Sequence, residues 1–253
     1  MKAIIIGAGR GSRLEHLTDE VPKTMVEVLG RTMLDQILDA LEHAGFARRD
    51  IVFVAGYRSE VVRAAHPELT FVENRDWESN NILLSLLKAR SFLEDGFVST
   101  YADIVYEPEI ARAVASSTAD ICLGCDTRWR RRYVKRSHHP ETDAEKLSFE
   151  GDRVTRLSRH LPSDEASGEF IGVMKLSRAG AARFLRAFDE AEAAYRGRVF
   201  REGRTFEKAY LIDLLAAMLD AGETMTHADT AGGYMEIDTL EDRSLASEWW
   251  ASR

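Results

Sequence analysis

The sequence is poor in cysteine, in proline and in positive charge, and each deficit excludes something. Five prolines, no repeat and no long Pro/Gly/Ser linker leave no punctuation that would divide the chain. No apolar run approaches the ~20 residues a membrane-spanning helix needs. The start, MKAIIIGAG, is too short for a signal-peptide core and reads as a buried first strand. A net charge of -8 argues against general nucleic-acid binding, which calls for a basic surface. The two cysteines, Cys122 and Cys125, lie within ADICLGC. A zinc pair needs two more ligands, and His138 and His139 are adjacent rather than spaced, so the cysteines read as small hydrophobes of a buried strand.

What is present is enough apolar material, 45% of 253 residues, for one sizeable core or at most two small ones. Charged residues make up 30%, as suits a cytoplasmic protein. The first half alternates element types. Strands are expected at Lys2–Ile6, Ile51–Ala55, Thr70–Val72, Phe97–Tyr101 and Asp120–Gly124, and helices at Met33–Ala44, Asn81–Leu93 and Glu107–Ser116. The middle adds a hairpin over Glu145–Ser158, turning at Gly151-Asp152, and a strand at Phe170–Leu176. Helices at Gly180–Ala194 and Phe206–Leu219, a strand at Tyr234–Asp238 and a helix at Leu240–Trp250 complete the chain. The pattern implies an α/β fold: one domain over 1–253, a Rossmann-like, mostly parallel sheet flanked by helices, with a β-rich insertion around 126–176. Trp249 and Trp250 suit either the core or a homodimer interface.

The first strand runs straight into Gly7-Ala8-Gly9-Arg10-Gly11-Ser12-Arg13. Such a turn lets backbone N–H groups face an anion without Cβ interference, and a following helix would add its positive end. The dinucleotide pattern fails because Ser12 stands where the third glycine belongs, and the P-loop pattern fails for lack of Gly-Lys-Ser/Thr. What remains is Gly9-x-Gly11-x-Arg13 with Pro22-Lys23 further on. Asp103 and Asp238 each follow an expected strand, where an aspartate can cap a helix or, in a pair, hold a divalent cation. Asn80-Asn81, with Ser85 beyond, precedes an apolar helix that Asn81 could cap. The stretch Arg128–Pro140 holds six Lys or Arg and no acid, with Trp129 and Tyr133 interleaved. It is open to three readings: a solvated loop, a nucleic-acid patch, or a pocket for an anionic small molecule.

GAGRGSRL followed by EVPKTMVEVLGRTMLDQIL resembles the signature region of the nucleotidyltransferases, which include sugar-nucleotide pyrophosphorylases and bacterial choline-phosphate cytidylyltransferases. Their usual start is Ala-Ala-Gly; here it is Gly7-Ala8-Gly9. The resemblance implies that the loop from Gly7 to Ser12 wraps a triphosphate, that Arg13 and Lys23 neutralise it, and that Asp103 and Asp238 hold Mg²⁺. EIDTLEDRSLA is close to a choline-phosphate cytidylyltransferase segment. Asn80, Asn81 and Ser85 resemble the stretch lying beside cytidine in that branch, which favours CTP. The order Trp129, Tyr133, Arg136, His139-Pro140, Ala144-Glu145-Lys146 and Gly168–Gly172 is similar to the cytidylyltransferases of phosphonate metabolism. It implies CMP transfer to a small anionic phosphonate or phosphate, with Arg136 and Lys146 on the acceptor and Glu169 orienting Lys146 or the acceptor. Sugar-1-phosphate and choline-phosphate transferases are the rival enzymes, the latter wanting an aromatic cage and carboxylates. A nucleotide sensor that has lost catalysis is the rival of another class.

Overall fold

A computed structural model describes residues 1–202 and 205–251. The chain enters through β1 (Lys2–Gly7), whose Ala3 to Ile6 are buried, and passes the glycine loop. A two-strand ribbon, β2 (Glu27–Val28) and β3 (Arg31–Thr32), leads to α1 (Met33–His43). The Thr32 hydroxyl caps α1 by accepting from the Asp35 N–H at 3.0 Å, and Leu34, Ile37, Leu38 and Leu41 form its buried stripe. Next come β4 (Ile51–Ala55), α2 (Ser59–Ala65), β5 (Thr70–Glu73), α3 (Ile82–Lys88), β6 (Phe97–Tyr101), β7 (Ile104–Tyr106) and α4 (Pro108–Ser116). The middle contributes β8 (Ile121–Asp126), the single turn α5 (Arg130–Tyr133), β9 (Lys146–Glu150), β10 (Arg153–Ser158) and β11 (Gly168–Leu176). The last part is α6 (Arg178–Tyr195), α7 (Leu211–Asp220), β12 (Thr226–Thr230), β13 (Tyr234–Glu236) and α8 (Leu240–Ala251).

Nine strands form one sheet in the order β5-β4-β1-β6-β11-β8-β12-β10-β9, with β9 also reaching β11. The pairings make every strand but β10 and β11 run the same way. Of the strands between 146 and 176, β11 lies inside the main sheet between β6 and β8, and β10 and β9 extend its edge beyond β12. Helices cover both faces: α3, α6 and α7 pack over one core, α1 and α4 over the other. A small third cluster seats α8 against Leu14, Val26 and Met235, and Trp249 and Trp250 pack there, with the Trp249 indole N–H donating to the Gly232 carbonyl at 3.1 Å. Cys122 and Cys125 are buried and unpaired in β8. No helix among the described residues is long and apolar enough to cross a membrane.

Several expectations change in detail. The helix expected after the glycine loop is a 3₁₀ stretch, Ser12–Thr18, broken at Glu15 (φ 52°), so no helix terminus stands behind the loop. The helix from Asn81 ends at Lys88 and yields to a 3₁₀ turn over Arg90–Phe92. The strand expected over Tyr234–Asp238 stops at Glu236, leaving Asp238 on the connection to α8. Among the elements not expected are α2, which buries only Val62, and β12, the polar stretch THADT, paired in parallel with β8.

Candidate active site

The strands that run together carry their C-terminal ends to one edge, where ligands of open α/β sheets bind. There the glycine loop, Lys23, Asn80, Asn81, Ser85, Asp103 and Asp238 line a cleft of about 310 Å³. Gly11 sits at φ 74°, and a Cβ there would come within 2.7 Å of the Lys23 side chain, so only glycine lets the loop fold over that lysine. A Cβ on Gly7 would stand 2.4 Å from the Phe53 ring. Gly9 has open space where its Cβ would be, on the wall of the cleft. Ala8, Ser12 and Arg13 line the cleft too. Arg10 does not: it turns away to pair with Asp19 at 2.9 Å and lies over the Tyr57 ring.

Lys23 is 7% exposed and joins two carboxylates from distant parts of the chain. Its Nζ donates to Asp103 Oδ2 at 2.8 Å and to Asp238, which also pairs with Arg13. Burial alone would depress the Lys23 ammonium, but Asp103 and Asp238 outweigh it and hold it above its ordinary value. Burial would raise Asp238; Lys23 and Arg13 override it and bring the carboxyl down to about 2. Behind them stands Glu236, which burial and the neighbouring Asp238 and Asp103 push well above the usual carboxylate range. His139 Nε2 lies 3.4 Å from Glu236 and 3.9 Å from Asp238. The Asp238 backbone is fixed from below: Asp242 accepts from its N–H at 3.0 Å and from the Thr239 N–H at 2.8 Å.

These carboxylates fit a hard divalent cation. Asp103 Oδ1 is buried without a hydrogen-bond partner among the described residues, and the donors are all oxygen. The ammonium bridging Asp103 and Asp238 shows that the pair accommodates a cation. Glu236 was not singled out from the sequence, although it stands two residues before Asp238, the spacing that puts side chains on one face of a strand. His139 had only its place in a motif.

On the side of the cleft formed by Asn80, Asn81 and Ser85, Asn74 organises the wall. It exchanges reciprocal amide hydrogen bonds with Asn80, both at 2.9 Å, and donates to the Ser85 hydroxyl at 2.9 Å. Asn74 is fully buried and went unnoticed in the sequence. Asn81 opens α3, but its side chain makes no cap; its amide donates to the Lys208 carbonyl at 3.2 Å.

A second chamber of about 400 Å³ meets the cleft, and Arg13, Asp103 and Asp238 are walls of both. Its other walls include Glu145, Glu169, Glu236, Tyr101, Tyr210 and Tyr234. Burial pushes Glu145 up to about 8, although the Tyr101 hydroxyl donates to it at 3.0 Å. Glu169 is held from behind by Arg132 and by the Tyr133 hydroxyl at 2.8 Å.

Residues 3–203 match the MobA-like NTP transferase domain. The chain belongs to this family of nucleotidyltransferases. Within it, the chain is 25% identical to a CTP:phosphoglutamine cytidylyltransferase of Campylobacter jejuni, over 98% of this chain and all of the relative. It is 35% identical to a 2-aminoethylphosphonate cytidylyltransferase of Lancefieldella rimae over 42% of this chain and 44% of that protein. The fold is that of the CTP:phosphocholine cytidylyltransferase of Streptococcus pneumoniae, with a TM-score of 0.70, 19% identity and 98% of each chain covered. The inositol-1-phosphate CTP transferase of T. maritima superposes at 0.72, with 22% identity over 98% of this chain and 95% of that one.

In this nucleotidyltransferase two arginines of the basic stretch turn inward, while Arg128, Arg130, Arg131 and Lys135 stay exposed. Arg132 is buried between Asp126 and Glu169. Arg136 is buried too, its Nε 2.8 Å from Asp242 and its Nη2 donating to the Glu236 carbonyl at 2.6 Å. Arg136 thus braces the segment that carries Glu236 and Asp238 and does not line the chamber. Its partner is protein because α8 brings Asp242 under it. Lys146 stands opposite Glu169 across the β9–β11 pair, yet it lines a neighbouring cavity rather than the chamber. Glu169, alone among the expected acceptor residues, lines the chamber itself.

Proposed function

We propose that this protein transfers CMP from CTP to a small phosphate or phosphonate that also carries a cationic group, releasing pyrophosphate. The observation that carries the reading is the shared wall of the two chambers. A triphosphate held by the glycine loop and an acceptor held among the carboxylates would meet at Arg13, Asp103 and Asp238. CTP is favoured by the relative matched over its full length, which is named for CTP, and by the Asn80–Ser85 wall.

The cationic group follows from the walls of the second chamber. Tyr101, Tyr210 and Tyr234 line it, and Glu145 and Glu236 are carboxyls that burial disfavours as anions. An ammonium placed among them would ionise them and gain both charge pairing and cation–π contact. This is the chemistry of an amino-bearing acceptor, not of a neutral sugar phosphate.

The acceptor oxygen is ionised near neutral pH, so the reaction needs positioning and charge stabilisation more than a base. That oxygen attacks the α-phosphorus; the new O–P bond forms as the bond from the α-phosphorus to the bridging oxygen breaks, and pyrophosphate leaves with the electron pair. Arg13 and Lys23 stabilise the negative charge that builds on the triphosphate. Gly7, Ala8, Gly9, Gly11 and Ser12 line the cleft that would take the phosphates, and Gly9 leaves open space there for close backbone approach. Asp103 and Asp238, with Glu236 beside them, would hold Mg²⁺, which when bound supplies further charge neutralisation at the phosphates.

The test is pyrophosphate release over a grid of CTP, UTP, dTTP and GTP against phosphoethanolamine, phosphocholine, 2-aminoethylphosphonate and glucose 1-phosphate. Release is expected with CTP and the amine-bearing acceptors. Preference for glucose 1-phosphate would refute the acceptor reading, and CTP binding without turnover on any acceptor would mark a nucleotide sensor.

A further inference from the structure

Cys125 reads from the sequence as a small hydrophobe, for want of further ligands near it in the chain. The fold brings two such ligands to it from a hundred residues on. β12 lies parallel to β8 with Asp229 in register with Cys125. His227, two residues earlier, shares the face of Asp229. The ligand atoms of Cys125, His227 and Asp229 all lie within 4.8 Å of one another. None of the three lines the nucleotide cleft or the acceptor chamber.

The histidine is fixed from two sides. Its ring stacks on Phe149 with centroids 3.9 Å apart, and its Nε2 is 3.1 Å from the Gly151 carbonyl. A carbonyl only accepts, so Nε2 carries a hydrogen and donates it. In the neutral ring the lone pair is then on Nδ1, which faces Asp229 Oδ1 at 2.6 Å. A lone pair and a carboxylate oxygen that close are held together by a cation, either a proton or a metal ion. A metal-bound histidine commonly donates its other N–H to a carbonyl, which sets the tautomer and the ring orientation. The sulfur is placed by Gly168, where a Cβ would come within 2.3 Å of Cys125 Sγ. Cys125 is buried, whereas the Asp229 side chain is 47% exposed, so an ion can enter from the Asp229 side.

We propose that Cys125, His227 and Asp229 bind a zinc ion, with a water from the open side as fourth ligand. Sulfur, imidazole nitrogen and carboxylate oxygen are the donors zinc takes, and the first two disfavour magnesium. Tetrahedral zinc bonds of about 2.0–2.2 Å set nitrogen and oxygen about 3.3 Å apart, a small swing for the half-exposed Asp229. Burial, with Asp229 beside it, raises the Cys125 thiol, so without metal the group is S–H. On binding, the S–H bond breaks, its electron pair goes to zinc and the proton to solvent. The ion ties β8 to β12 and, through His227, to the turn between β9 and β10. It is a structural site, independent of the transfer reading.

The full-length protein, stripped with a chelator, is titrated with Co²⁺ and then Zn²⁺, with Mg²⁺ in excess to compete for the all-oxygen carboxylates of the transfer site. One equivalent of Co²⁺ should give thiolate-to-cobalt charge-transfer absorption in the near ultraviolet, and Zn²⁺ should remove it. Zn²⁺ at about 100 times its Kd should raise the melting temperature by about 5–10 °C. Cys125→Ala should abolish the absorption. His227→Gln and Asp229→Asn should each weaken binding at least tenfold, a loss typical even of an outer-shell partner. Cys122→Ala, which removes the other buried thiol of β8, should change neither signal. No charge-transfer absorption in the wild type overturns the proposal and leaves His227 and Asp229 as a protonated pair. Absorption that survives in Cys125→Ala, or is lost in Cys122→Ala, overturns it too. A zinc-induced rise in melting temperature of equal size in the wild type and in His227→Gln assigns the metal to the transfer site instead. Should Cys125→Ala not fold, the half-exposed position decides: unchanged Co²⁺ affinity in Asp229→Asn refutes the site, and a tenfold loss supports it.

Discussion

Replacing Lys23 by methionine removes the one ammonium shared by Asp103 and Asp238 and leaves them beside Glu236. The size of the effect can be worked from Asp238. Its fall from 3.8 to about 2 is net of the cost of burial and corresponds to roughly 2 kcal/mol, so Lys23 and Arg13 together supply more than that. Arg13 remains in the variant, but Asp103 also loses its partner, so a net loss of about 2–4 kcal/mol is expected. For a chain of this size that lowers the melting temperature by about 5–12 °C at pH 7. The sign with pH follows from the depressed carboxyl: the wild-type advantage is full above 3.8 and vanishes as pH falls through about 2. Added Mg²⁺ should restore part of the lost stability, since it can bridge the same two carboxylates. Turnover should fall about 10²–10³-fold, the usual cost of losing one preorganised charge in the transition state. Thermal melting and pyrophosphate release on the same protein read both effects. Turnover within about threefold of wild type, with an unshifted melting temperature, would show that the lysine neither braces the carboxylates nor serves the chemistry.

Two further outcomes follow from the same geometry. Arg136→Met should cost about 3–5 kcal/mol of stability, because Asp242 loses its buried partner, while the ratio of acceptor KM to CTP KM stays within about threefold; a selective rise in acceptor KM would return Arg136 to the acceptor site. Glu145 is protonated below about 8, so affinity for an amine-bearing acceptor should rise with pH toward that value and level off above it. Glu145→Gln should flatten this dependence, which calorimetry of phosphocholine binding would read as a proton release near pH ~6.5 that is larger in the wild type than in the variant, the difference fading by pH ~9.

The chemistry near the triphosphate was legible because its parts are local. A glycine loop after a buried strand, an arginine two residues past Gly11 and a Pro-Lys pair further on form a short pattern, and Gly11 is needed for a contact with Lys23 that follows soon after it. The strand and helix pattern was legible for the same reason: burial of Ile4, Leu34, Leu38 and Val54 shows as periodicity. The acceptor side was not. Arg136 looked like a pocket residue because a sequence cannot say which acid will arrive beside a base. Here Asp242 comes from α8 and Asp126 and Glu169 from two paired strands, so Arg132 and Arg136 are spent inside the protein. Lys146 meets no such partner among the described residues, and it lines a cavity beside the chamber. Composition and spacing determine which charges a chain carries and where its backbone turns. Which charges are neutralised internally, and which are left to face a ligand, is decided by contacts between segments a hundred residues apart, such as Arg136 and the Glu236 carbonyl.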